Sequence, residues 1–193
     1  MAQEPDSRAV AGLRAGNARA FEEIYHAYRP RLFGFLVRMS GRRDVAEELL
    51  QEIWFRLARN APRLRADTRI GAWLFTVARN LILSYRRRQI LDGEQLERLA
   101  RVPIREPQSP FEDTAASEFE RRVERGLAGL PYNYREALLL VGVEGLAPSE
   151  AAVICRISPE ALRQRLARGR VLLARELAGV GPVTSAAEGR SPR

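Results

Sequence analysis

Few side chains in this sequence can do bond chemistry. One histidine, His26, and one cysteine, Cys155, stand alone among 193 residues, which leaves no His-based catalytic pair, no Cys-based zinc site and no disulfide framework. Neither a metal nor another cofactor is expected, and the usual equipment of most enzymes is missing. What the chain has in quantity is guanidinium: all 32 basic side chains are Arg, with no Lys, against 24 carboxylates, for a net charge of +8. Arg makes bidentate hydrogen bonds to phosphate and to the guanine edge, so a polyanion, nucleic acid first, is the partner this chemistry favours. The absence of Lys has a separate explanation in a GC-rich genome, whose codon usage favours Arg.

The Arg residues are gathered rather than spread. Residues 59–91 hold eight Arg against one acid, and residues 157–178 hold five against two. Residues 44–58 reverse the balance with four acids against one Arg, as do residues 92–114 with six against three. Apolar positions recur at spacings of three and four with no alternating β-branched run, which is helical periodicity. Residues 92–114 carry Pro103, Pro107 and Pro110 and lose periodicity after Leu99, so they are expected to form a flexible linker. The fold expected is all-α: two small helical domains, 1–91 and 115–178, joined by the linker 92–114 and followed by a disordered tail, 179–193. The longest uncharged apolar stretch, 70–78, is about half of the roughly 20 residues a membrane-spanning helix needs. Residues 1–20 lack the apolar centre of a signal peptide. A cytoplasmic protein without membrane insertion is expected.

The second domain carries the sharpest local pattern. Pro148 opens a short helix through Ile154, the three residues Arg156, Ile157 and Ser158 form a turn, and Ser158-Pro159 is an N-cap followed by a first-turn proline, so a new helix starts there. Short helix, tight turn and long basic helix make a helix-turn-helix. On a helical wheel Leu162, Leu166, Gly169 and Leu173 form the buried side. Glu160, Arg163, Gln164, Ala167, Arg168 and Val171 face outward, with Arg165 and Arg170 at the boundary. Such outward residues can reach base edges in the major groove while flanking Arg side chains hold phosphates. A solvated basic face on an ordinary helical bundle is the competing reading.

In the first domain, residues 44–58 bury a stripe of Ala46, Leu49, Leu50, Ile53, Trp54 and Leu57. The opposite face shows Glu48, Gln51, Glu52 and Phe55, and an exposed Phe among carboxylates suggests docking of a basic protein surface; a merely solvated face is the alternative. The helix expected over 70–91 buries Leu74, Val77, Ala78, Leu81 and Tyr85. Trp73, Asn80, Ser84 and Arg87 share one flank, and Arg79 and Arg86 extend along another. A ring to stack on, an amide to read edges and guanidinium groups to track the backbone are what unstacked single-stranded DNA requires, although a lone Trp is more often part of a core. The polar, Pro-interrupted loop 60–68 precedes this helix, placed where it could cradle an extruded base.

Taken together, these segments resemble the bacterial RNA polymerase sigma factors of the extracytoplasmic-function group, in the sigma-70 family. The resemblance is strongest in Asp44-Val45-Ala46-Glu47-Glu48-Leu49-Leu50-Gln51-Glu52-Ile53-Trp54, in Ala72-Trp73-Leu74-Phe75-Thr76-Val77-Ala78-Arg79-Asn80, and from Leu130-Pro131 through Arg170. It implies a sigma-two domain and a sigma-four domain, and core RNA polymerase and promoter DNA as partners, the latter in duplex and single-stranded form. It further implies that Glu48, Gln51, Glu52 and Phe55 dock on the clamp helices of the β′ subunit, with the β subunit also contacted. Arg63, Arg65, Asp67, Trp73, Arg79, Asn80, Ser84, Arg86 and Arg87 would open and read the minus-ten element. Ser158, Glu160, Arg163, Gln164, Arg165, Arg168 and Arg170 would bind the minus-thirty-five element. A cognate anti-sigma factor is implied only by the resemblance. The chain departs from the family pattern at Glu160-Ala161, where Gly-Thr is frequent, at Arg156 in place of Gly, at Ser84 in place of an acid and at Ala147 in place of a capping Ser. A stand-alone helix-turn-helix repressor or activator is the alternative function, but it would need neither the acidic Phe55 face nor the Trp73 helix.

Overall fold

The computed structural model describes residues 4–96 and 118–178. Among them there are helices and turns and no strand: α1 (Glu4–Arg14), α2 (Ala18–Ser40), α3 (Arg43–Asn60), α4 (Ile70–Leu96), α5 (Glu118–Gly129), α6 (Tyr132–Leu138), α7 (Pro148–Cys155) and α8 (Pro159–Leu177). A 3-10 turn, Ala61–Arg63, follows α3, and a π turn, Leu139–Val143, continues α6. The expected all-α class holds. Helix α4 continues past residue 91 to Leu96. Most of the expected linker, and the expected tail from residue 179, lie outside the described residues.

Local chemistry sets the helix ends of the first half. Asn17 caps α2, its side-chain oxygen accepting from the Arg19 and Ala20 amides at 2.9 and 3.4 Å, which satisfies donors that the first turn leaves unpaired. Gly41 ends α2 at φ 72°, its amide donating to Val37 O, a left-handed cap that glycine adopts without a Cβ penalty. Helices α2, α3 and α4 pack on one another with α1 against α2. Their shared core contains Leu32, Phe35, Leu36, Ile53, Leu57, Ile70, Leu74, Phe75 and Ile82, all fully buried. The α3 stripe expected from the sequence is buried at every position. On α4, Phe75 and Ile82 go deeper than the expected Val77 and Tyr85, which are half-buried. The reason is that α4 contacts both α2 and α3, so its buried arc is wider than a single stripe.

The second half wraps α5, α6 and α7 around α8. Leu127, Leu130, Leu139, Leu140, Ile154, Leu162 and Leu166 are its buried centre. Helix α6 begins at Tyr132, where Pro131 sits in an extended conformation and its carbonyl accepts from the Tyr134 and Arg135 amides. Gly169 lets α8 close on α6: an added Cβ would meet Leu138 side-chain carbons at 3.2 Å. Helix α7 has Pro148 in its first turn, and its Ala147 cap lacks an oxygen. Glu150 supplies half of a capping box instead, its carboxylate accepting from the Ala147 amide at 2.9 Å.

The turn between α7 and α8 holds Arg156 at φ 55° and ψ 48°, the only left-handed non-glycine residue among those described. A Cβ in this region is strained. Arg156→Gly is expected to raise stability by about 0.5–1 kcal/mol, the relieved strain being partly offset by the greater freedom of glycine in the unfolded chain. An unchanged or lowered urea midpoint would refute this.

Candidate nucleic-acid interface

Helix α8 is the simplest part. Ser158 caps it, its hydroxyl accepting from the Ala161 amide at 3.1 Å, so this residue is committed to the helix start. Leu162, Leu166 and Gly169 point inward. Glu160, Arg163, Gln164, Ala167, Arg168, Arg170 and Val171 are all exposed, the outward face expected from the wheel. Along it, the Glu160 carboxylate accepts from Arg163 Nε at 3.1 Å and from Arg163 Nη2. That guanidinium holds the Glu160 carboxyl below its ordinary range, so Glu160 is an anion here and reduces the free positive charge of the helix start. Arg165 differs from the others: it turns inward, and its Nη1 lies 3.9 Å from Glu136.

The minus-ten candidates lie on α4 and the loop before it. Arg63 is exposed, and Arg65 forms a fork with Asp67 at 2.9 and 3.0 Å. Trp73 and Asn80 are half-buried, while Ser84 and Arg87 are exposed. Arg79 is enclosed where an outward flank was expected, whereas Arg86 is exposed. The Arg79 side chain is only 12% exposed, and its Nε donates to Glu136 Oε1 at 2.9 Å. Arg86 stacks over the Tyr132 ring, 4.2 Å from its centre, the geometry of a cation–π contact.

The third surface is the acidic face of α3. Glu48 and Gln51 are exposed, and Phe55 is 62% exposed with no core contact to explain it. Glu52 accepts from Arg56 Nε at 2.6 Å one turn along. Beside this face, a groove of about 650 Å³ runs between α2 and α3, lined by Tyr25, Arg29, Pro30, Phe33, Gln51 and Trp54 among others. Tyr25 and Trp54 pack with ring centroids 4.8 Å apart and planes inclined at 52°. His26 packs edge-on against Tyr25 at 5.6 Å.

What the sequence did not disclose is how the two halves meet. Helix α4 packs along α7, and α2 packs against α5 and α6. Four Arg residues of the first half each meet a Glu of the second: Arg31 with Glu144 at 3.0 Å, Arg38 with Glu124 at 2.8 Å, Arg69 with Glu150 at 2.9 Å and Arg79 with Glu136 at 2.9 Å. Arg31 also donates to the Glu144 carbonyl at 2.6 Å, and Arg135 donates to the Arg38 carbonyl at 3.1 Å. Glu136 is fully buried and also accepts from the Tyr132 hydroxyl at 3.0 Å. Cys155, buried against the same carboxylate, has its thiol pushed up to about 12 by burial and by that neighbouring charge, so it is a poor nucleophile. A signal was present in the sequence: Glu136 interrupts an apolar helix whose next four residues, Ala137 to Leu140, are buried, and a carboxylate in such a stripe needs a cationic partner.

No helix of the described residues is long and apolar enough to cross a membrane, and they contain no cluster of His, Cys, Asp and Glu able to hold a metal ion. Residues 24–90 match the family described as sigma-70 region 2, and residues 120–173 match sigma-70, region 4. The chain is 34% identical over 146 residues to the ECF RNA polymerase sigma factor EcfG of Rhodopseudomonas palustris, covering 73% of this chain and 76% of that protein. It is also 34% identical over 168 residues to the RNA polymerase sigma factor CarQ of Myxococcus xanthus, covering 86% of this chain and 94% of that one. In fold it is similar to the sigma factor RpoE of Bartonella quintana, solved in complex with the anti-sigma factor NepR. The TM-score is 0.71 at 24% identity, covering 86% of this chain and all of that one.

Proposed function

Because the chain belongs to the extracytoplasmic-function group of sigma-70 family factors, which bind RNA polymerase and recognise promoters, we propose that it divides that work among the three surfaces described above. The outward face of α8 reads the minus-thirty-five element as duplex, through Glu160, Arg163, Gln164 and Arg168, with Arg170 on phosphate. The loop 60–69 and α4 open and read the minus-ten element, with Trp73 and Asn80 toward the bases and Arg63, Arg87 and their neighbours on the backbone. The acidic face of α3, with Glu48, Gln51, Glu52 and Phe55, docks on the clamp helices of the β′ subunit. No bond is made or broken on this chain; contacts to duplex DNA and to the core enzyme offset the cost of unstacking the minus-ten bases. The domain limits that go with this division are residues 1–91 and 115–178. A cognate anti-sigma factor is a further partner in this reading, and the groove beside α3 offers it a place.

The observation that carries the proposal is the coincidence, on α8, of a proper cap, a buried Leu side and an outward face free of apolar core residues. In vitro transcription with core polymerase and mapping of the start sites tests the whole assignment. Within it, Arg168→Ala is expected to cost about 1–3 kcal/mol in promoter binding. Arg163→Ala should fall toward the lower end of that range, because wild-type Arg163 must first leave Glu160. Wild-type promoter affinity in both variants would remove α8 as the reader. Glu52→Arg is expected to weaken co-purification with core polymerase while the chain keeps its helical circular dichroism. Retention at the wild-type level would remove the α3 face as the dock.

A further inference from the structure

Helix α8 has no need of Glu160 to start. Its cap is Ser158, whose hydroxyl already takes the Ala161 amide, and Glu160, in the second helical position, is not placed for a capping box. In α7 that place is the third position, filled by Glu150. Glu160 is nevertheless the one carboxylate between Pro159 and Val171, on a face that otherwise offers Arg163, Gln164, Arg168 and Arg170. Its side chain is 61% exposed and that of Arg163 67%. The carboxylate holds the Nε and Nη2 edge of Arg163, its neighbour one turn along the same face. That guanidinium, with a smaller contribution from Gln164, keeps Glu160 ionised, so a group that only accepts hydrogen bonds stands beside one that only donates them.

We propose that Glu160 is a specificity-determining residue of α8. It forms with Arg163 an acceptor and donor couple that reads one G·C pair of the minus-thirty-five duplex, Arg163 on guanine O6 and N7 and Glu160 on the N4 amino group of the paired cytosine. The inference rests on the functional reading above, in which the outward face of α8 enters the major groove. A G·C pair shows there two acceptors and then a donor, whereas an A·T pair shows acceptor, donor and acceptor. The couple matches the first pattern, and in the second it sets the carboxylate against thymine O4. Phosphate satisfies only half of the couple, because it accepts from Arg163 and repels Glu160. Arg163 therefore leaves Glu160 where the DNA gives each of them a partner and stays with it elsewhere, so the carboxylate works by excluding wrong sequences as well as by binding the right one.

The test uses the full chain bound to core polymerase, selecting from promoter duplexes randomised across the minus-thirty-five element. The wild-type holoenzyme is expected to return a motif with an invariant G·C pair. In Glu160→Gln, whose carboxamide keeps the shape but carries a donor as well as an acceptor, preference for G·C over A·T at that pair should fall about tenfold, within the range of one base-edge contact. The other positions of the motif should not change. Affinity for unrelated duplex should rise in Glu160→Gln and in Glu160→Ala alike, since each frees Arg163 and removes a negative charge. Arg163→Ala should lose the same G·C preference, and adding Glu160→Ala to it should tighten binding to unrelated duplex, because the lone carboxylate then faces phosphate. A carboxylate that served only the positive end of the helix dipole would instead lower the melting temperature in Glu160→Gln and leave the motif intact, and circular dichroism on the same samples reads that. An unchanged preference in Glu160→Gln, a loss spread evenly over all positions, or a wild-type motif without an invariant G·C pair overturns the proposal. A holoenzyme that returned no minus-thirty-five motif would sink the functional reading along with this one, whereas a motif that Arg168→Ala weakens and Glu160→Gln leaves intact sinks this one alone.

Discussion

Phe75→Ala is expected to remove about 3–5 kcal/mol from the stability of the first half, the range for deleting a fully buried aromatic ring. Phe75 is fully buried and meets Phe35 edge-to-face, with centroids 5.5 Å apart and planes at 88°, an arrangement that adds to simple burial. Arg31 lies over its ring at 5.7 Å, and also over Tyr28 at 5.1 Å, before reaching Glu144. The cavity therefore opens beneath an Arg that ties the two halves together. In urea, with a slope of about 2 kcal/mol per M, the midpoint should fall by roughly 2 M. Both Trp residues, Trp54 and Trp73, lie in the first half, so Trp fluorescence follows this unfolding selectively. A shift smaller than about a quarter of that value would mean that α2 and α3 collapse onto the vacant site. Phe75→Leu, which keeps most of the apolar volume, should recover over half of the loss.

The helices and their caps were legible because they depend on neighbours in sequence. Ser158-Pro159 marks the start of α8 by side-chain chemistry within one turn, and the wheel of α8 separates inward Leu from outward Arg with no knowledge of the rest of the fold. The α3 stripe was equally readable, since one face of that helix is buried and the other is wet. Helix α4 was only partly readable: it packs on two helices at once, so the single stripe drawn for it missed Phe75 and Ile82. Arg79, Arg86 and Arg165 show the larger limit. Their sequence context is that of exposed cations, and nothing within a few residues reveals Glu136 or Tyr132 as their neighbours, because each pairing joins elements about 30 to 60 residues apart in sequence. Charge totals by segment also concealed the effect. The second half is basic on α8 and acidic on the face that meets α2 and α4, two surfaces of one small bundle that a linear count averages together.

Glu136→Leu is expected to uncouple the two halves rather than to unfold both. In the wild-type chain one carboxylate with no exposed surface accepts from Arg79 and Tyr132 and faces Arg165. Removing one partner of a buried ion pair costs about 3–5 kcal/mol when the remaining charge stays buried. Arg79 has a way out: if the halves part, its guanidinium returns to water, so the cost of stranding it is capped by the free energy of docking. Tyr132 and Arg165 belong to the second half and keep part of the penalty even after opening. Two transitions should therefore replace one. Far-ultraviolet circular dichroism, which follows both halves, should show helix loss at lower urea than Trp fluorescence, which follows the first. Adding Arg79→Leu to Glu136→Leu removes the stranded charge and gives an apolar contact across the interface, an exchange that is often neutral or favourable for buried pairs. The double variant should regain much of the coupling, short of the share retained by Arg165. If Glu136→Leu left both probes coincident at the wild-type midpoint, the carboxylate would contribute nothing to the docking of region 4 on region 2. If the double variant were less coupled than the single one, Arg79 would be held there by something other than Glu136.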